Sequence, residues 1–212
     1  MKKATLRIPQ GPLKAALDAV RRAVAVHGDI DRAVASLLPV TLETHGSIGV
    51  EQRKAKLAEY ARDKAEATAR AVSALEAAEA EYKRLIDKAT VPDGADTQRP
   101  DYALFRDGLI STPEQLSVVM ARNADSATFR AAALKLATKS GWKEEATNYD
   151  TRDRETLLRG FGNEYFQLCR SAANRPGGYD CSLLLSEGFS AEFADKSGVA
   201  DEYAAGGEGV EA

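Results

Sequence analysis

The residues able to do chemistry are few, and their spacing argues against a catalytic centre. His27 and His45 are the only two histidines in 212 residues. Neither belongs to a cluster of Cys and His, so neither reads as part of a structural zinc site. His27 precedes Gly28 and reads as a base at a helix end, facing the negative end of the backbone dipole. Cys169 and Cys181 stand twelve positions apart. A bridge between them requires Arg175-Pro176-Gly177-Gly178 to fold the chain back. The plainer expectation is two reduced core thiols, because disulfides are rare in the cytosol.

Other patterns resemble sites only at first sight. Gly160-Phe161-Gly162-Asn163 resembles a phosphate loop, yet no Lys-Ser/Thr follows and no strand precedes it. It is expected to let one helix approach another closely. Tyr179-Asp180-Cys181-Ser182 lacks a nearby histidine base and a helix N-terminus suited to a thiolate, so loop packing is expected. Glu144 and Glu145 are adjacent, and neighbours on a helix point apart. No Gly-x-Ser-x-Gly elbow occurs. No catalytic, cofactor-binding or metal-ligating residue is nominated, and the expectation is a protein without enzymatic activity or cofactor.

Charge is more informative by segment than in total. Residues 1–38 carry seven Lys/Arg against three Asp/Glu, whereas 180–212 carry eight acids against Lys196 alone. These ends are either solvated termini or surfaces that attract each other between copies or toward a partner. Within the basic head, Arg21, Arg22 and Arg32 form a candidate basic patch. The patch is modest and the whole chain is acidic at −3, so the expectation is against nucleic acid.

The elements that would position these groups read as helices. Ala4, Leu6 and Ile8 alternate like a short strand or arm, ended by Pro9 and Gly11. Pro12 suits a helix first turn. Leu13, Leu17, Val20 and Val24 follow at helical spacing, with a stop at His27-Gly28. Asp29 then caps a second short helix burying Ile30, Val34 and Leu37, ended by Pro39. Residues 1–48 thus read as an arm and a helical hairpin, with 40–48 irregular and Gly46 a breaker.

From about Val50 to Ala89 there is neither Pro nor Gly, and Ala, Glu, Lys and Arg dominate. Forty such residues would make a rod of roughly 60 Å. Leu57, Ala61, Lys64, Thr68, Ala71, Leu75, Ala78, Tyr82, Leu85 and Ala89 keep 4-3 spacing. Leu57, Ala61, Ala71, Leu75, Ala78, Tyr82 and Leu85 are the candidate self-association seam. Ala58, Ala65, Val72 and Ile86 widen it on one side. The seam either pairs between chains as a coiled coil or packs on the chain's own C-terminal helices.

Residues 91–100 read as a polar linker. Beyond it, 101–197 form a C-terminal helical domain. Thr112 caps a helix with Pro113 first and Gln115 able to reach back; Leu116, Val119 and Met120 face inward. A break near Asn123–Ser126 precedes a helix bearing Phe129, Ala133, Leu136 and Ala137, which stops at Gly141. From Asp150-Thr151 a third helix carries Leu157, Leu158, Phe161, Tyr165, Leu168, Cys169 and Ala172, ended by Pro176-Gly177-Gly178. Leu183–Leu185, Phe189 and Phe193 suggest a last short helix or two. Residues 198–212 are expected to be a flexible tail.

One stretch carries a family resemblance. Pro100-Asp101-Tyr102 precedes Leu104 and Gly108, a Thr112-capped helix with Glu114 and Leu116, the break Arg122-Asn123, and Thr128-Phe129-Arg130. Residues 100–141 resemble uncharacterised proteins encoded in the structural (head) gene modules of tailed bacteriophages and prophages. Those proteins have a more polar, aromatic-containing second helix where this chain has Ala131-Ala132-Ala133-Leu134. The resemblance implies a long helical N-terminal part joined to a hairpin and a virion-assembly setting, and assigns no residue a role.

The sequence therefore predicts an all-α protein with a long, coiled-coil-like central helix, flanked by helical hairpins and followed by a disordered acidic tail. No apolar run approaches the ~18 residues a membrane span needs, and no signal peptide is recognisable. The expected setting is the cytoplasm of a bacterial host or a virion assembled there. The expected work is head assembly or virion association, as scaffold, capsid-associated protein or assembly chaperone. The partners would be itself, capsid or other virion proteins, with a homo-oligomer among the outcomes. The alternatives are a cytoplasmic adaptor or, further off, a DNA-binding protein using Arg21, Arg22 and Arg32.

Overall fold

The computed structural model describes residues 11–186. The expected arm at Ala4–Ile8, any helix at Phe189 and Phe193, and the acidic tail lie outside the described residues. Among those described there are eight α-helices, one 3-10 turn and no strand. The helices are α1 (Gly11–Ser36), α2 (Leu42–Thr90), α3 (Tyr102–Arg106), α4 (Pro113–Arg122), α5 (Ala127–Ser140), α6 (Lys143–Tyr149), α7 (Arg152–Asn174) and α8 (Tyr179–Leu184). The 3-10 turn is Gly94–Gln98. The all-α architecture and the long helix agree with the sequence reading.

The chain forms two compact units. One comprises Pro12–Glu79 with residues 164–186, the other Ala80–Asn163. The division falls within α2 and α7, not at the linker expected over 91–100. That segment is instead bound into its own unit. Thr128 Oγ1 accepts from Asp93 N–H at 2.7 Å and donates to Asp93 O at 2.8 Å. Ser126 Oγ donates to Asp96.

In the first unit, the expected stop at Gly28 does not occur. α1 runs unbroken to Ser36. A mid-helix glycine costs about 1 kcal/mol against alanine, and contacts on both sides offset it. His27 Nε2 lies 3.2 Å from Lys64 O and 3.1 Å from Thr68 Oγ1. Ile30 is buried, and Lys64 pairs with Asp31. The helical hairpin is therefore α1 against the first part of α2, not two short helices within 12–38. At the α2 start, Thr41 and Thr44 cap reciprocally. Thr44 N–H donates to Thr41 Oγ1 at 3.3 Å, and Thr41 N–H to Thr44 Oγ1 at 3.0 Å. Gly46 interrupts α2 with φ 67°, a conformation that favours glycine. Leu13, Ala16, Val20, Ala71, Leu75, Tyr165, Phe166, Cys169 and Ala172 are buried in this unit.

The second unit has a core of larger side chains. Phe129 is fully buried and meets Tyr102 and Phe105 edge-on, with ring centroids 5.6 and 5.8 Å apart. Ile110, Leu116, Val119, Met120 and Tyr149 complete the cluster. The caps follow the sequence closely. Thr112 Oγ1 accepts from Gln115 N–H, with Pro113 in the first turn. Gln115 reaches back, but to Ser111 N–H at 2.9 Å. Gly141 ends α5 in the left-handed region at φ 72°. Arg130 is buried and donates to the carbonyls of Ala89 and Ala124. Its cation thus satisfies the last turn of α2, where the helix dipole is negative. The short helix α6 was not read from the sequence.

Candidate interaction surface

The seven residues of the expected seam divide sharply by position. Ala71, Leu75, Ala78 and Tyr82 are buried. Leu85 and Leu57 are half-buried and Ala61 is exposed. The buried four are covered within this one chain, so the packing on the chain's own helices accounts for them. Leu57, Ala61 and Leu85 keep surface that a partner could reach. Tyr82 is fixed within its unit by donating to Leu158 O at 2.8 Å, and burial pushes its phenol up to about 12.

Gly162 gives the glycine cluster its structural meaning. A Cβ there would stand 2.2 Å from Tyr82 Cε1, so the close approach expected of Gly160–Gly162 is made by Gly162 against α2. Gly160 has open space. The buried face of α7 is displaced from the one expected. Leu158, Tyr165, Phe166, Cys169, Ala172 and Ala173 are buried. Phe161 and Leu168 are only half-buried, and Leu157 is 62% exposed. Phe166, not nominated, is the fully buried aromatic.

The candidate basic patch does not gather. Arg21 and Arg22 are separated from Arg32 by about three helical turns, roughly 16 Å along one continuous α1. Arg21 pairs with Asp18 at 3.7 Å, and Arg32 with Asp29. Arg22 lines an alanine-floored groove of about 360 Å3 with Arg70, Ala19, Ala23 and Ala67.

The groups with chemical potential are held by structure. His27 sits mid-helix, not at a helix end, bonded to α2. His45 Nδ1 lies 2.7 Å from Thr44 Oγ1 on an exposed turn. Cys169 and Cys181 are free and buried; burial pushes the Cys169 thiol up to about 12. Asp180 accepts from Ser171 Oγ. Glu145 is buried while Glu144 is exposed, so the pair does point apart. Among the described residues no cluster of three or more His, Cys, Asp or Glu could hold a metal ion. No helix there is long and apolar enough to cross a membrane.

What the first unit does leave open is apolar surface around the α1–α2 turn. Leu38, Leu42 and Ile48 are 62%, 66% and 74% exposed. Along α2, Ala55, Ala58, Ala61, Ala65 and Ala69 are exposed in turn. An open groove of about 540 Å3, lined by His27, Lys64, Ala65, Thr68, Val72 and Asn174, lies beside the end of α7. Comparisons with family models, curated proteins and solved structures return no match for this chain.

Proposed function

We propose that this chain is a non-enzymatic helical interaction protein of tailed-phage head assembly, working as a scaffold, a capsid-associated protein or an assembly chaperone. The observation that carries the interaction role is the exposed apolar turn at Leu38, Leu42 and Ile48, continued by exposed alanines along α2. Large apolar side chains exposed along one short stretch cost free energy in water, and where such residues gather they mark surfaces that meet another molecule. The phage setting rests on the resemblance of residues 100–141. The residues carrying it have structural work here: Thr112 caps α4, Thr128 ties down Asp93, Phe129 centres a core and Arg130 closes α2. Pairing of Arg21 and Arg32 with acids of their own helix weakens a nucleic-acid reading.

The test is co-expression of the full chain with the head proteins encoded beside its gene, followed by sedimentation of assembly intermediates. The expected result is co-sedimentation with capsid protein or its precursors. No association, together with unaltered capsid assembly, overturns the phage reading and leaves a cytoplasmic adaptor. Presence in purified particles would separate a capsid-associated protein from a scaffold that departs.

A further inference from the structure

Beside the buried seam, the front of α2 carries a second stripe. Ile48, Glu51, Ala55, Ala58, Arg62 and Ala65 alternate at intervals of three and four, so they share one helix face. All six are exposed. They begin just after the break at Gly46 and reach the edge of the open groove at Ala65.

The stripe is complementary to its own reverse. An antiparallel copy with its two-fold axis between Ala55 and Ala58 sets Ile48 against Ala65, Glu51 against Arg62, and Ala55 against Ala58. Each pair occurs twice, as a two-fold interface requires. The large side chain meets a small one, the acid meets the base, and alanines at the centre let the helices come close. Arg62 has no ion-pair partner among the described residues. Glu51 pairs with Lys54 at 2.8 Å, with both side chains about 70% exposed, and such a pair exchanges readily.

We propose that a second copy of this chain docks antiparallel on this face of α2 in this register; the inference rests on the reading of the chain as an interaction protein. A second copy fits because size and sign both repeat when the stripe is reversed, a property that an unrelated partner does not require. The contact is small. Ile48 to Ala65 spans about 26 Å of helix, and a strip roughly 10 Å wide buries far less than the ~800 Å2 per partner of a stable interface. The dimer is therefore reversible and forms only at high concentration.

The experiment is sedimentation equilibrium of the full chain up to about 1 mM at low salt. The expected result is a concentration-dependent dimer. Glu51→Arg or Arg62→Glu alone places like charges opposite each other twice and weakens it about tenfold. The combined Glu51→Arg, Arg62→Glu chain restores it. All these positions are exposed, and helical circular dichroism confirms that each variant folds. Cross-linking fixes the register independently, since the native thiols are buried. Ala55→Cys mixed with Ala58→Cys should form the mixed disulfide faster than either forms its own. A monomer at every concentration overturns the proposal. A dimer indifferent to both charge reversals, without preferential 55–58 cross-linking, also overturns it, yet leaves the interaction role standing. Loss of capsid co-sedimentation with this dimer intact would instead overturn the phage setting alone.

Discussion

The two units are stabilised by opposite means. Residues 80–163 bury large side chains around Phe129, with Tyr102, Phe105, Leu116, Met120 and Tyr149 about it. The unit of Pro12–Glu79 and residues 164–186 relies more on small ones: Ala16, Ala19, Ala23, Ala67, Ala71, Ala78, Ala172 and Ala173 are all buried there. An alanine removes little apolar area, so each contributes little. In return the backbones approach closely, which leaves little room for enlargement away from the groove lined by Ala19, Ala23, Ala67 and Ala71. The first kind of core should fail when a side chain is shortened, the second when one is lengthened.

The largest expected effect follows from shortening. Phe129→Ala should destabilise its unit by about 3–5 kcal/mol, read from denaturant melts. Phe161, half-buried on α7, should cost clearly less when truncated. Equal costs would break the comparison by showing that the Phe129 site collapses around the loss.

Lengthening tests the other unit. Ala16 is fully buried, and Ala16→Leu should cost about 1–3 kcal/mol through overpacking. Ala61→Leu, on the exposed front of α2, should change stability by less than about 0.5 kcal/mol. A large loss at position 61 would mean that the front of α2 is covered in solution. Gly162→Ala limits the contrast, because it is a tight site inside the large-residue unit. Its new Cβ meets the Tyr82 ring, and about 1–3 kcal/mol should again be lost.

Much of this was legible before the structure, and the reasons are local. Thr112-Pro113, Gly141 and Pro176-Gly177-Gly178 are helix boundaries whose chemistry acts over a few residues, and all three hold. Gly28 misled because its stop signal is equally local, while the contacts of His27 and Lys64 that override it come from a helix some forty residues away. The seam was recognisable as a stripe, yet an alanine-rich helix has several. Ala55, Ala58 and Ala65 match the heptad spacing as well as Ala61, Ala71 and Ala78 do. Which stripe is buried depends on where α1 and α7 lie, and periodicity in α2 alone does not encode that. The helix α6 went unread because Lys143–Tyr149 spans only two turns and has no side-chain cap.

Alkaline pH should act on both units in the same direction. Cys169, in the alanine-rich unit, holds its proton to about 12 against an ordinary 9. Tyr82, in the other, does so to about 12 against 10. Both folded values are raised, so the unfolded chain releases these protons first. Their contribution is full below pH 9 and declines between about 9 and 12. Denaturant midpoints at pH 8, 9.5 and 10.5 should therefore fall, and Cys169→Ala should flatten the earlier part of that decline. An unchanged slope would show that the thiol is hydrated in solution.

The smallest expected effect lies on the surface that both units share in kind. Arg32 pairs with Asp29 one turn before it, and their side chains are 81% and 69% exposed. In high dielectric such a pair gains little Coulomb energy, and ordering two long side chains offsets part of it. Arg32→Ala should therefore shift stability by less than about 0.5 kcal/mol. The same substitution also tests the discarded basic patch, because a nucleic-acid contact would make Arg32 matter for binding while leaving stability alone. The measurement is a denaturant melt beside a titration with duplex DNA at two salt concentrations. Unchanged stability with no salt-dependent DNA binding in either protein fits an ordinary solvated ion pair. Binding that weakens on losing Arg32 and fades with salt would restore the basic face of α1 as a functional surface.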